Sequence, residues 1–150
     1  LFDRKYATVP DIQYSETLKE CTMRINRITL LCHDLDAAIR FYVEAFDFEL
    51  IEDTQISDQK RIVRVAPEPT GVSFNLALAK PGDEPLIGQH AGKRVSVFID
   101  VDDLDRCLKR FHQHGVDIID GPRTEPFGRC LLVKDLAGNT WEFVERTDIS

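Results

Sequence analysis

The sequence predicts an α+β fold built from two tandem copies of one strand-helix-strand-strand-strand unit, with each helix packed on one face of its strands. Three observations carry this. The stretch Arg27 to Tyr42, RITLLCHDLDAAIRFY, returns 69 positions later as Ser96 to Phe111, SVFIDVDDLDRCLKRF. The echo then continues, with Phe48 to Glu52 on Val116 to Asp120 and Arg61 to Val63 on Arg129 to Leu131 at an offset of 68, and Phe74 to Leu76 on Trp141 to Phe143 at 67. Within each copy the apolar spacing switches from strand alternation to helical period at an Asp.

Taken in order, residues 1–24 match neither copy and read as an N-terminal extension, either native or added upstream. Met23 stands directly before the first strand as a natural start, and 15–20 fits a turn or two of helix. The first module spans 25–80. Its strand 25–33 runs into a helix over 35–46, where Leu35, Ala38, Ile39 and Tyr42 recur at helical spacing. Strands over 48–53, 61–66 and 72–80 follow, separated by loops at 54–60 and 67–71, the second marked by Pro67, Pro69 and Gly71. Residues 81–93, rich in Pro and Gly and without periodicity, form the inter-module linker. The second module spans 94–146, with strand 94–101, helix 103–114, and strands 116–120, 129–134 and 140–146. Gly115 sits where a helix C-cap glycine belongs, Ala137-Gly138-Asn139 signals a hairpin, and 147–150 is a tail.

Bulk properties narrow the function. A net charge of −7 over 150 residues disfavours the broad basic surface that nucleic acid or anionic membrane requires. No apolar run approaches the roughly 20 residues of a membrane span, and no signal peptide h-region is present. The four cysteines lack any CxxC spacing, and three fall in predicted strands or helices as small hydrophobes, which favours a reducing, cytoplasmic setting. No nucleophile-elbow motif, phosphate loop or Cys-His pair stands out.

Strand alternation separates two faces. Ile28, Leu30 and Cys32, with Val97, Ile99 and Val101, make an apolar face suited to the helices. The opposite face mixes polar and small residues with Leu31 and Phe98, as a partly wet ligand surface does; plain solvent exposure is the alternative.

DLDAAIRFYVEAFDFELIED, DVDDLDRCLKRFHQHGVDIIDGP and KDLAGNTWEFVE together resemble the vicinal oxygen chelate superfamily, which holds glyoxalase I, bleomycin-resistance proteins, fosfomycin-modifying enzymes and extradiol dioxygenases. The resemblance implies two βαβββ units whose eight strands form a cupped mixed sheet with the helices outside, often in a homodimer. Metal-using members place one ligand at the start of each module's first strand and one on each last strand. Carried over, these positions are Arg27, Asn75, Ser96 and Glu142, of which Glu142 alone is a good ligand. The reading therefore expects no cofactor, with a divalent metal disfavoured, and an ion pair between Arg27 and Glu142, either recognising a polar or zwitterionic ligand or serving as a structural bridge.

The expected ligand-binding residues are Arg27, Asn75, Ser96, Phe98, Arg129 and, from the linker, His90. Arg129 follows Phe127-Gly128 on a segment where relatives contact ligand, while its repeat partner Arg61 argues equally for a structural role. The leading expectation is a bleomycin-resistance-like, homodimeric protein that binds a small organic molecule. The alternative is a lyase, isomerase or dioxygenase of the same superfamily using a metal or Glu142 as catalytic base, which a neighbouring guanidinium opposes.

Overall fold

The computed structural model describes residues 21–147. The expectations for a helical turn at 15–20 and for most of the tail lie outside the described residues, and 21–26 carry no regular secondary structure. The first module comprises β1 (Arg27–Cys32), α1 (Leu35–Arg40), a π-helical turn (Phe41–Ala45), β2 (Glu49–Ser57), β3 (Lys60–Ala66) and β4 (Ser73–Leu78). The second comprises β5 (Val95–Asp100), α2 (Leu104–Gln113), β6 (Asp117–Glu125), β7 (Gly128–Lys134) and β8 (Thr140–Arg146). The eight strands divide into two four-stranded mixed sheets of matching order, β1-β4-β3-β2 and β5-β8-β7-β6, with the first strand of each parallel to the last. No helix among the described residues is long and apolar enough to cross a membrane.

Each helix starts in the same way. Asp34 Oδ1 accepts from the Ala37 amide at 2.7 Å and Asp103 Oδ1 from the Arg106 amide at 3.0 Å, caps worth about 1 kcal/mol each. From the neighbouring sheet, Arg61 of β3 reaches Asp36 and Arg129 of β7 reaches Asp105, at 2.9 and 2.8 Å. The repeated arginines thus pin each first helical turn to its own sheet.

Two local features depart from the expected element bounds. The helix over 35–46 is regular only to Arg40; beyond it the Phe46 amide donates to the Phe41 carbonyl at 3.4 Å, five residues back. That widened turn packs Phe41, Tyr42 and Phe46 with ring centroids 4.9–5.6 Å apart, a tertiary demand that helical spacing does not reveal. The β2–β3 and β6–β7 hairpins are also longer than read. The loop expected at 54–60 continues as strand to Ser57, stabilised by Arg61 against Asp53, and β6 runs through Gly121-Pro122 to Glu125. The Gly-Pro pair marks an irregularity in register between Asp120 and Arg123, where the strand bends and continues.

The modules share one core. Phe46 of the first lies 5.5 Å from Phe111 and 5.2 Å from both Trp141 and Phe143 of the second, and Phe74 lies 5.2 Å from Trp141, in tilted or edge-to-face arrangements. Such pairs add about 0.5–1.5 kcal/mol each beyond area burial. Beneath them Asp135, buried on the turn before β8, accepts the Tyr42 hydroxyl at 2.6 Å and the Trp141 indole N–H at 2.9 Å. Neither module keeps a closed core without the other.

Candidate functional site

The face of each sheet turned away from its helix is the candidate site, and pairing register lays it out in rows. Cross-strand partners share a face and stand roughly 4.5–5.5 Å apart. In the first sheet Thr29, Asn75, Arg64 and Glu52 form a row across β1, β4, β3 and β2. In the second, Phe98, Glu142, Leu132 and Asp120 form the equivalent row across β5, β8, β7 and β6. These are the same repeat positions, so the duplication persists to the residue while the chemistry has diverged.

The second sheet carries the sharper site. Glu142 has a side chain only 12 % exposed, and its Oε1 lies 3.6 Å from Arg123 Nη2. Arg123 also binds Asp120 and, at 2.8 Å, Glu125, so three carboxylates share one guanidinium. Cys130 is fully buried on this face. Burial raises its thiol above the ordinary range, with Arg123 opposing and Glu142 and Glu125 reinforcing the shift, so the sulfur stays protonated. At the row's end Phe98 is 66 % exposed, a large apolar ring in open water beside Glu142. Arg64 supplies the counterpart in the first sheet, donating to Ser73 Oγ at 3.0 Å and pairing with Glu52 at 3.4 Å.

The residues singled out by sequence are distributed as follows. Arg27 and Asn75 come together in a hollow of about 560 Å³, alongside Gln55, Lys60, Ile62 and Ala77. Glu142 and Phe98 are neighbours on the other sheet, and Ser96, half-buried, lies two residues before Phe98 on β5. Arg123 of β6, rather than Arg27, pairs with Glu142 among the described residues. Arg129 registers with Glu145 on the helix-side face and spends its guanidinium on Asp105 and Glu145, away from the open face. His90 accepts the Leu31 amide N–H at Nε2 over 3.0 Å, tying the linker to β1. Sequence reasoning omits Arg123 because it ends that strand at Asp120, although the alternation of Arg123 and Glu125 continues it, and omits Arg64 although its strand over 61–66 is expected.

As a metal donor set the four inherited positions offer a guanidinium, an amide, a hydroxyl and a single carboxylate already engaged by Arg123. A divalent ion requires several anionic or imidazole donors at about 2 Å, and this set fits one poorly.

Residues 24–143 match the Glyoxalase/Bleomycin resistance protein/Dioxygenase superfamily. The chain belongs to that superfamily. A superfamily relative from Shewanella frigidimarina, of uncharacterised activity, is 39 % identical over 127 residues, covering 83 % of this chain and 94 % of its own. TnmS3, an antibiotic binding protein from a Streptomyces species, is 26 % identical with a TM-score of 0.68, covering 85 % of this chain and 98 % of its own. A glyoxalase/bleomycin resistance protein from the same genus is 27 % identical with a TM-score of 0.63, covering 81 % and 99 %. The fold described above is thus shared with these two structures.

Proposed function

We propose that this superfamily member binds a small organic molecule on the open faces of its sheets, without a catalytic metal and as a homodimer. The observation that carries the reading is the state of Glu142. The one carboxylate at an inherited ligand position is held by Arg123, over a buried neutral thiol, with the exposed Phe98 ring beside it. A flat apolar group can stack on Phe98 while a polar group exchanges hydrogen bonds with the Arg123 and Glu142 cluster. The similarity to TnmS3, an antibiotic binding protein, supports binding over turnover. Proton abstraction by Glu142 is disfavoured, because a base engaged by a guanidinium gives up that interaction on protonation.

In the homodimer the open face of one module closes over that of the partner, which removes Phe98 and the free edges of β1 and β5 from water. The cysteines stand free, in keeping with cytoplasmic residence. The test is a thermal-shift screen of polycyclic antibiotics and aromatic metabolites, run before and after chelation, with metal analysis and sedimentation on the same sample. The expected result is a ligand-induced rise in Tm that survives chelation and is lost in Phe98→Ala and Arg123→Ala. Stoichiometric metal held through Glu142, or turnover that Glu142→Gln abolishes, refutes the reading.

A further inference from the structure

We propose a second small-molecule site, separate from the open faces: a cavity of about 260 Å³ between the first module and the turn before β8 that takes an uncharged one- or two-ring aromatic molecule. It lies between α1, β1 and β4, walled by Leu30, Cys32, Ala38, Tyr42 and Leu76, all buried, and roofed by the Leu136-Ala137 turn that leads into β8.

The space has a sequence cause. Where α2 carries Arg106 and Cys107, the duplicated positions on α1 are Ala37 and Ala38, and the smaller side chains leave room between helix and sheet. The roof does not simply collapse into it. Asp135 Oδ1 accepts the Gly138 and Asn139 amides at 2.9 and 2.8 Å, which holds the turn in shape. Gly88 of the linker packs against the outside of the turn so closely that a Cβ there would stand 2.1 Å from the Ala137 carbonyl oxygen. Leu136 itself is 56 % exposed, leaving it free to swing as the door.

The lining selects the ligand. The Tyr42 hydroxyl is already donated to Asp135, and the Cys32 thiol is pushed up to about 11 by burial, so neither presents a charge. A water molecule needs two to four polar partners, and a buried ion needs a counter-charge; the buried walls supply neither, since His33 and Asp34, the polar members of the lining, are exposed and Asp34 Oδ1 is taken by the Ala37 amide. An apolar cavity of about 150 Å³ suffices for benzene. The larger volume here admits a substituted or second ring, and the apolar walls exclude charged analogues.

The experiment measures Tm of the wild-type protein with toluene, p-xylene or indole, against benzoate and benzylamine as charged analogues. At ten times Kd an uncharged binder is expected to raise Tm by about 3–6 °C, and the charged pair to leave it unchanged. Ala38→Leu fills the cavity and is expected to fold with Tm equal to or above wild type while losing the response; Ala37→Leu, on the adjacent wall, is expected to weaken it. Phe98→Ala, which removes the stacking ring of the open face, is expected to retain the full response, which distinguishes this site from the one above. The proposal is overturned if the uncharged probes give no shift, if both leucine variants keep the full response, if both fail to fold, or if Phe98→Ala abolishes it.

Discussion

Asp135→Asn tests whether one buried carboxylate couples the modules. Asp135 Oδ2 accepts from Tyr42 Oη at 2.6 Å, Trp141 Nε1 at 2.9 Å and Asn139 Nδ2 at 3.1 Å, while Oδ1 takes the two turn amides. In the asparagine variant the remaining oxygen keeps the amides, and the new NH₂ faces Trp141 and Asn139, whose groups there only donate. The Tyr42 hydroxyl can rotate to accept. Two buried donors are left unmet at about 1–3 kcal/mol each, so the loss is about 2–6 kcal/mol. At about 2–4 °C per kcal/mol for a chain of this size, Tm falls by at least about 4 °C. Tyr42→Phe alone removes one hydrogen bond to a charged group, about 1.5–3 kcal/mol, and is expected to cost less in the Asp135→Asn background, where the hydroxyl meets only a neutral amide. Urea unfolding followed by far-UV circular dichroism and by the fluorescence of Trp141, the sole tryptophan, reads both effects. A loss below 1 kcal/mol for Asp135→Asn, or an equal Tyr42→Phe penalty in both backgrounds, would refute the coupling.

The remaining expectations concern titration, thiol reactivity and Arg129. Burial and the Asp135 charge hold the Tyr42 phenol well above its ordinary value, and burial lifts Cys32 to about 11 from 9.0. Because the unfolded chain releases these protons first, their stabilisation is complete below about pH 9 and is lost as pH rises; the fall steepens above pH 10 and is shallower in Tyr42→Phe, as denaturation at stepped alkaline pH will show. At neutral pH iodoacetamide is expected to label the exposed Cys21 and leave the buried Cys32 and Cys130 unmodified until urea is added, counted by intact mass. Arg129→Ala is expected to leave ligand response unchanged and to change stability little, since its pairs with Asp105 and Glu145 are largely solvated; a selective loss of binding would return Arg129 to the site.

Much of the fold was legible because duplication puts each signal on the page twice. Asp34 and Asp103 both cap helices, and Arg61 and Arg129 both anchor them. Arg61 and Arg129 stand at matching positions of the two sheets, each paired with an Asp in the first turn of its own module's helix. The site was less legible. Glu142 and Phe98 were placed on one face by alternation, but the partner of Glu142 lies on β6, two strands away, beyond a Gly-Pro bend that looked like a strand end.

By itself the sequence determined the strand and helix order, the apolar faces and the caps, because these depend on local periodicity and on residues counted along one chain. Only the tertiary structure decided which arginine meets Glu142, why the end of the first helix widens, and where two alanines leave a cavity. Those outcomes depend on side chains brought together across strands, and no spacing along the chain encodes that distance.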